Sequence, residues 1–232
     1  MREIILDTET TGLDPASGHR IVEIGCIEMI GRVESGRSFH AYLCPDRAMP
    51  SEAEAVHGLS DVFLADKPRF ADIARELLDF IGDASVIAHN AAFDIAFLDA
   101  ELRACGHPPL TMGRAVDTLA LARARHPGAK HSLDGLCSRY GIDRSQRVKH
   151  GALLDAELLA QVYVELTGGR QIGLQLVEEV AVEQRAPVGF VLAARPYRTP
   201  RPHQPSAEEA ARHAIFVRTL SDPLWDRYAS AG

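Results

Sequence analysis

Ile4-Ile5-Leu6-Asp7-Thr8-Glu9-Thr10-Thr11-Gly12 runs from an apolar triplet into two carboxylates and a turn. The triplet is the signal of a short buried strand ending at Asp7. On a strand, residues i and i+2 point to the same face, so Asp7 and Glu9 stand side by side. There they repel each other and need a compensating cation. Hard divalent metals such as Mg2+ or Mn2+ take oxygen ligands of this kind. Thr10-Thr11-Gly12 then turns the chain sharply, and its backbone donors and hydroxyls suit a substrate phosphate or sugar. Taken alone, an Asp-x-Glu pair reads more readily as two solvated acids at a strand end.

Outward from this stretch, strand and helix patterns alternate. Ile21 to Ile30 and Ser38 to Leu43 are strand-like, with Gly31 to Gly36 as the turn between them. With the first strand they suggest three consecutive antiparallel strands. Phe70 to Ile81 has helical apolar spacing. Val86-Ile87-Ala88 is the next short strand, and Ala91 to Ala104 a helix with Gly106 beyond its end. Val116 lies in a further strand before Asp117. Ser132 is the expected N-cap of a helix through Tyr140. Ala152 to Leu166 is a long apolar-periodic helix stopped by Gly168-Gly169. The expected fold class is α/β with a mixed sheet, over residues 1–169.

Beyond it, residues 184–206 carry Arg185, Arg195, Arg198 and Arg201, five prolines and no acid. Proline at that density blocks helix and central strand alike, so the segment reads as an extended basic linker. Residues 207–232 open with a helical pattern from Ala207 to Leu220, followed by Leu224, Trp225 and Tyr228.

The 232 residues have a net charge of -7 and 46% hydrophobic content, which exclude a collagen, a wholly disordered chain and a disulfide scaffold. No run of about 18 apolar residues is present, so no transmembrane helix and no membrane partner is expected. An acid at Asp7 comes too early for a signal-peptide core. Cys26, Cys44, Cys105 and Cys137 are scattered, as expected of reduced, mostly core thiols in a cytoplasmic protein. The negative charge argues at first sight against a nucleic-acid partner, since backbone binding is mainly cationic.

Two further acids stand in suggestive settings. Asp94 falls in the first turns of a helix, where the helix dipole favours a carboxylate. Asp155 interrupts an apolar helix between Leu154 and Leu158. His150 precedes it by five residues, about 500° of helical rotation, so two helical residues so spaced would not share a face. His150 approaches Asp155 only from a loop or cap before the helix. A histidine placed there beside a metal carboxylate suits a general base.

Together these residues resemble a known family. D-T-E-T-T-G at 7–12, H-N-A-A-F-D at 89–94 and H-G-A-L-L-D at 150–155 look like the three motifs of the DEDDh 3'–5' exonucleases. Gly151 rather than tyrosine stands four residues before Asp155, which selects the histidine variant. F-H-A-Y-L-C-P-D-R at 39–47, V-H-G-L at 56–59 and S-L-D-G-L-C-S-R-Y at 132–140 are similar, more narrowly, to the epsilon proofreading subunits of bacterial DNA polymerase III.

The resemblance implies a ribonuclease-H-like exonuclease fold, a five-stranded mixed sheet flanked by helices, followed by a flexible C-terminal tail. It also implies that Asp7, Glu9, Asp94 and Asp155 bind two divalent ions, Mg2+ or Mn2+, with His150 as the base. Asp7, Glu9, Thr10, Thr11 and Gly12 would also meet the substrate, and Glu52 and His57 would contact the terminal nucleotide. Leu13, Phe93 and Phe97 read as core, with a side chain near Thr11 to Leu13 wedged against the terminal base as the alternative. The reaction would remove misincorporated nucleotides from a single-stranded or frayed DNA 3' end as nucleoside 5'-monophosphates. Two divalent ions would move the net charge from -7 to about -3, so the acidic balance no longer excludes nucleic acid.

The implied partners follow from the tail. Gln171-Ile-Gly-Leu174-Gln-Leu176 looks like a Q-x-x-L-x-[LF] peptide for the beta sliding clamp, docking in extended form. Residues 170–183 would form this peptide and its connector, and residues 207–232 would bind the polymerase alpha subunit. There is room for a further small core subunit, all within the cytoplasmic bacterial replisome. Two alternatives stay open: an RNA-trimming enzyme of the same superfamily, and a bridging subunit without catalysis. The complete set Asp7, Glu9, Asp94, His150 and Asp155 weighs against the second.

Overall fold

A computed structural model describes residues 1–147, 149–169 and 204–221. The candidate clamp peptide with Gln171, Leu174 and Leu176, and nearly all of the Pro/Arg-rich linker, lie outside the described residues. So does the end of the C-terminal segment.

The apolar triplet seeds β1 (Arg2–Thr10), the central strand of five. It pairs antiparallel with β2 (Ile21–Ile30), which pairs antiparallel with β3 (Val33–Tyr42). On its other side β1 runs parallel to β4 (Ser85–Ala88), and β4 parallel to β5 (Ala115–Asp117). The sheet order is β3-β2-β1-β4-β5, the mixed five-stranded sheet that was expected.

Strand alternation splits the apolar side chains of β1 between two cores. Ile4 and Leu6 face α3 (Phe70–Ile81) and α4 (Ala91–Ala104), where they meet Leu77, Phe97 and Leu98. Ile5 faces the opposite way, toward α5 (Thr118–Arg125), α6 (Leu133–Tyr140) and α7 (Ala152–Leu166). The connection from β3 to α3 carries two short helices, α1 (Ser51–His57) and α2 (Asp61–Leu64).

Two local expectations are corrected. The first strand continues past Asp7 to Thr10, because β2 pairs with its polar half: Asp7 lies opposite Gly25 and Glu9 opposite Glu23. The hairpin between β2 and β3 turns on Gly31-Arg32 alone, both at positive φ (59° and 68°), as a tight two-residue hairpin requires. Residues 35–37 form an irregularity within β3, where Ser35 Oγ and Arg37 Nη1 donate to Glu28 at 2.7 and 3.0 Å. Arg123 and Arg125 lie in the last turn of α5. Arg125 Nη1 donates to the carbonyl of Leu166 at 2.8 Å, a cation on the negative end of α7.

Ser132 caps α6, accepting from Gly135 N. All four cysteines are free; Cys26 and Cys137 are buried and the other two half-buried. The chain divides into two compact units, Met1–Leu176 and Val177–Gly232. In the second, Ala207–Val217 is helical and begins with a capping box from Ser206 and Glu209. Ile215 and Phe216 are exposed there. Among the described residues no helix is long and apolar enough to cross a membrane.

Candidate active site

Asp7 and Glu9 project from β1 on the face of Ile5, toward α7. Asp155 comes down from the first turn of α7, and Asp94 from the first turn of α4. Close approach of α7 to the sheet depends on Gly25, which lies opposite Asp7. A Cβ built there would sit 2.3 Å from the carbonyl carbon of Ala152. The start of α4 is held by Asp117, at the end of β5. Its Oδ1 accepts from the backbone of Asn90 (3.0 Å) and Leu119 (2.9 Å). Asn90 adopts φ 71°, turning the chain from β4 directly into α4.

The four acids line one cavity of about 290 Å3, together with His150. Glu9, His150 and Asp155 each present a ligand atom within 4.8 Å of the others. His150 lies outside α7, whose N-cap is Gly151, and its Nδ1 is 3.3 Å from Asp155 Oδ2.

Burial raises the affinity of Asp7, Glu9 and Asp94 for protons, and repulsion from neighbouring carboxylates adds to it. The Asp7 carboxyl is held well above its ordinary range by burial first, then by Asp94, Glu9 and Asp155. Glu9 is pushed up to about 8 by burial, with Asp155 and Glu23 adding. Asp94 rises to about 7 by burial, although Thr8 Oγ1 donates to its Oδ1 at 2.7 Å and pulls the other way. A buried cluster of hard oxygen donors that resist ionisation in the protein alone is chemically suited to divalent cations.

Sequence reading missed Arg147. Its guanidinium is 8% exposed and reaches into the same cavity. Nε donates to Asp155 Oδ1 at 2.5 Å and Nη2 to Oδ2 at 2.7 Å, a two-pronged hold. Nη2 also lies 2.8 Å from His150 Nδ1, and Nη1 donates to Asp134 Oδ1 at 3.0 Å. Its affinity for its proton is raised chiefly by the Asp155 hydrogen bonds. The available signal was an arginine three residues before the histidine motif, a spacing that says little without the fold.

A second cavity of about 570 Å3 adjoins the first, sharing Thr8, Glu9 and Phe93 with it. Thr10, Thr11, Gly12, Glu52 and His57 all line it, as does Leu13, which is 85% exposed. The Thr11 hydroxyl is engaged within its own loop. It accepts from Arg20 N (3.0 Å) and pairs with His19 Nδ1 (3.1 Å). Gly12 packs directly on the His19 ring, where any Cβ would clash at 2.3 Å. The Thr10 hydroxyl donates to the carbonyl of Gly12 at 2.6 Å. His57 is buried; its Nδ1 accepts from Leu59 N at 3.0 Å, while Nε2 is buried without a well-formed hydrogen bond. Burial lowers its pKa, with Glu23 and the Thr10 carbonyl opposing. Phe97 is core, whereas Phe93 is half-buried and walls both cavities.

The geometry has parallels among known proteins. An exonuclease family model, RNase T, matches residues 4–163. A DNA polymerase III subunit epsilon from Rickettsia felis is 48% identical over 223 residues, covering 95% of this chain and 97% of the relative. The subunit of the same name from Escherichia coli K12 is 49% identical over 176 residues, covering 73% and 72%. Among solved structures, exonuclease X in complex with 5' overhanging duplex DNA superposes with a TM-score of 0.56 at 26% identity, covering 71% of this chain and 90% of that one. The nuclease domain of 3'hExo, a DEDDh family member bound to rAMP, shares the fold, with a TM-score of 0.62 at 16% identity over 71% of this chain and 90% of that one.

Proposed function

This chain belongs to the exonuclease family of the DNA polymerase III epsilon subunits, and from that premise we propose how its residues carry out 3'–5' proofreading. The observation that carries the reading is the convergence of Asp7, Glu9, Asp94 and Asp155, with His150, beside a cavity deep enough for a nucleotide.

Asp7, Glu9, Asp94 and Asp155 would hold two divalent ions, Mg2+ or Mn2+, which would supply an activated attacking water and stabilisation of the leaving 3' oxygen in an in-line displacement. His150 accepts the proton from that water, because it sits beside the carboxylates on a loop, free of helix constraint. The terminal nucleotide occupies the larger cavity. His57 Nε2 offers it a buried hydrogen-bonding atom, Glu52 lines the rim, and the backbone at Thr10 to Gly12 follows its sugar and phosphate. The exposed Leu13 side chain stands at the mouth and packs on the terminal base. Discrimination then comes from the substrate: a mispaired end frays at less cost than a paired one and reaches the cavity more often.

In this reading residues 207–232 bind the polymerase alpha subunit and Gln171, Leu174 and Leu176 engage the beta clamp. The protein works in the cytoplasmic replisome, where a further small core subunit can join it. Tethering compensates for the weak DNA affinity of an acidic chain by raising its effective concentration. The deciding experiment is hydrolysis of a 3'-mispaired primer with and without Mg2+, comparing wild type with Asp7→Ala. Metal-dependent release of 5'-monophosphates, lost in the variant, is expected; a fully active variant refutes the metal site. Matched RNA and DNA strands in the same assay separate a DNA proofreader from an RNA trimmer. A chain ending at Glu183 that still co-purifies with alpha at full affinity would refute the tail's role. For the clamp peptide, Gln171→Ala with Leu174→Ala must weaken clamp binding.

A further inference from the structure

Arg147 is a cation already built into this site, and its contacts bear on how the site is armed. It stands before α7 and reaches across to Asp155, engaging both oxygens of the carboxylate at 2.5 and 2.7 Å. A divalent ion bound to either oxygen would share it with the guanidinium at contact distance. In a cavity walled by β1, α4 and α7, two cations that close repel strongly, because little water screens them. The guanidinium and a divalent ion therefore compete for Asp155.

We propose that Arg147 is a resident counter-ion and positioning residue: it neutralises the carboxylate cluster and pins His150, and it leaves Asp155 when a divalent ion takes that carboxylate. The proposal rests on Asp155 being a metal ligand.

The link to His150 follows from hydrogen-bond chemistry. A guanidinium N–H only donates. Nη2 lies 2.8 Å from Nδ1 and 3.3 Å from Nε2, so whichever ring nitrogen is unprotonated faces this donor and has its lone pair engaged. A base cannot take a proton through a lone pair already in use. The same Nη2 holds Asp155 Oδ2, so one movement of one side chain releases the ligand and the base together. Asp134 supplies the outer resting place. It is 46% exposed, already accepts from Arg147 Nη1 at 3.0 Å, and holds Arg144 at 2.8 Å. An arginine that lets go of Asp155 thus keeps one acidic partner at the rim and is not lost to solvent.

The test is calorimetric titration of metal-free wild type, Arg147→Gln and Arg147→Lys with Mn2+. Removing a competing charge should tighten Mn2+ binding by about tenfold in Arg147→Gln. Arg147→Lys should fall between, since an ammonium keeps the charge without the fork. A merely structural arginine would give equal or weaker binding in Arg147→Gln. That result overturns the proposal and leaves Asp155 as a ligand, whereas a wild type that binds no Mn2+ overturns both. Hydrogen exchange on the unaltered protein covers the case of a misfolded variant. Mn2+ should speed exchange of amides 143–147 while slowing that of the first turn of α7, and unchanged exchange at 143–147 overturns the proposal.

Discussion

Gly25 and Ala152 touch backbone to backbone: a Cβ on Gly25 would lie 2.3 Å from the carbonyl carbon of Ala152. This contact seats the first turn of α7 on the sheet and sets the height of Asp155 above Asp7. Gly25→Ala puts a methyl into backbone that cannot yield as a side-chain tip would. Overpacking of this kind costs about 1–3 kcal/mol. Thermal unfolding should show that loss, and Mn2+ affinity should fall with it because α7 lifts away. A variant of parental stability and metal affinity would mean that the helix position is not set here.

The acids predict a pH dependence with a definite sign. Glu9 at about 8 and Asp94 at about 7 lie above their ordinary values of 4.5 and 3.8. Their contribution to stability is complete below the ordinary values and is lost as pH rises through the raised ones. His57 and His89 run the other way, being lowered by burial, but that effect ends near 6.5. Between pH 6.5 and 8 the metal-free protein should therefore lose stability, at about 1 kcal/mol per pH unit for each acid still titrating. Saturating Mg2+ should flatten the slope, since it binds the ionised acids. Metal-free melting temperatures that climb across this window would contradict the assignment.

Thr8 bears on Asp94 alone. Its hydroxyl donates the 2.7 Å bond that favours the ionised carboxylate in a fully buried setting. Thr8→Val should cost about 1–3 kcal/mol, the range for a buried polar group left without its partner. It should also shift the rise of activity with pH to higher values, while Thr8→Ser restores the parental profile. A valine variant with an unmoved profile would detach Thr8 from the site.

For His150→Ala, turnover should be abolished while binding of single-stranded DNA persists, because the histidine is a proton acceptor and not a ligand the fold depends on. Single-turnover hydrolysis and a binding titration on the same protein separate the two. Activity near the parental rate would end the general-base role.

Much of this site was legible in the chain because its chemistry is local. Period-two alternation puts Asp7 and Glu9 on one face whatever surrounds them. Helix geometry excludes His150 from α7 if it is to meet Asp155, and the structure places it before Gly151. The hairpin was less legible, since Gly31, Gly36 and the residues between all resemble turn residues; only the register with β2 shows that Gly31-Arg32 turns and Ser35 to Arg37 bulge. That the Thr11 hydroxyl is engaged within its own loop was not legible either, because a free hydroxyl and a committed one are the same letter. His19, eight residues away, takes it.

Residue types and short spacings were enough to read the strand-and-helix order and to single out Asp7, Glu9, Asp94, Asp155 and His150 as candidates, because those depend on backbone periodicity and side-chain chemistry. Tertiary structure alone decided that Gly25 admits α7, that Asp117 anchors α4, and that Arg147 fills the space between Asp155 and His150. Each of these is a contact between separate elements or across a loop. Whether an arginine meets water or a carboxylate depends on where the chain returns in space, and no local pattern encodes that.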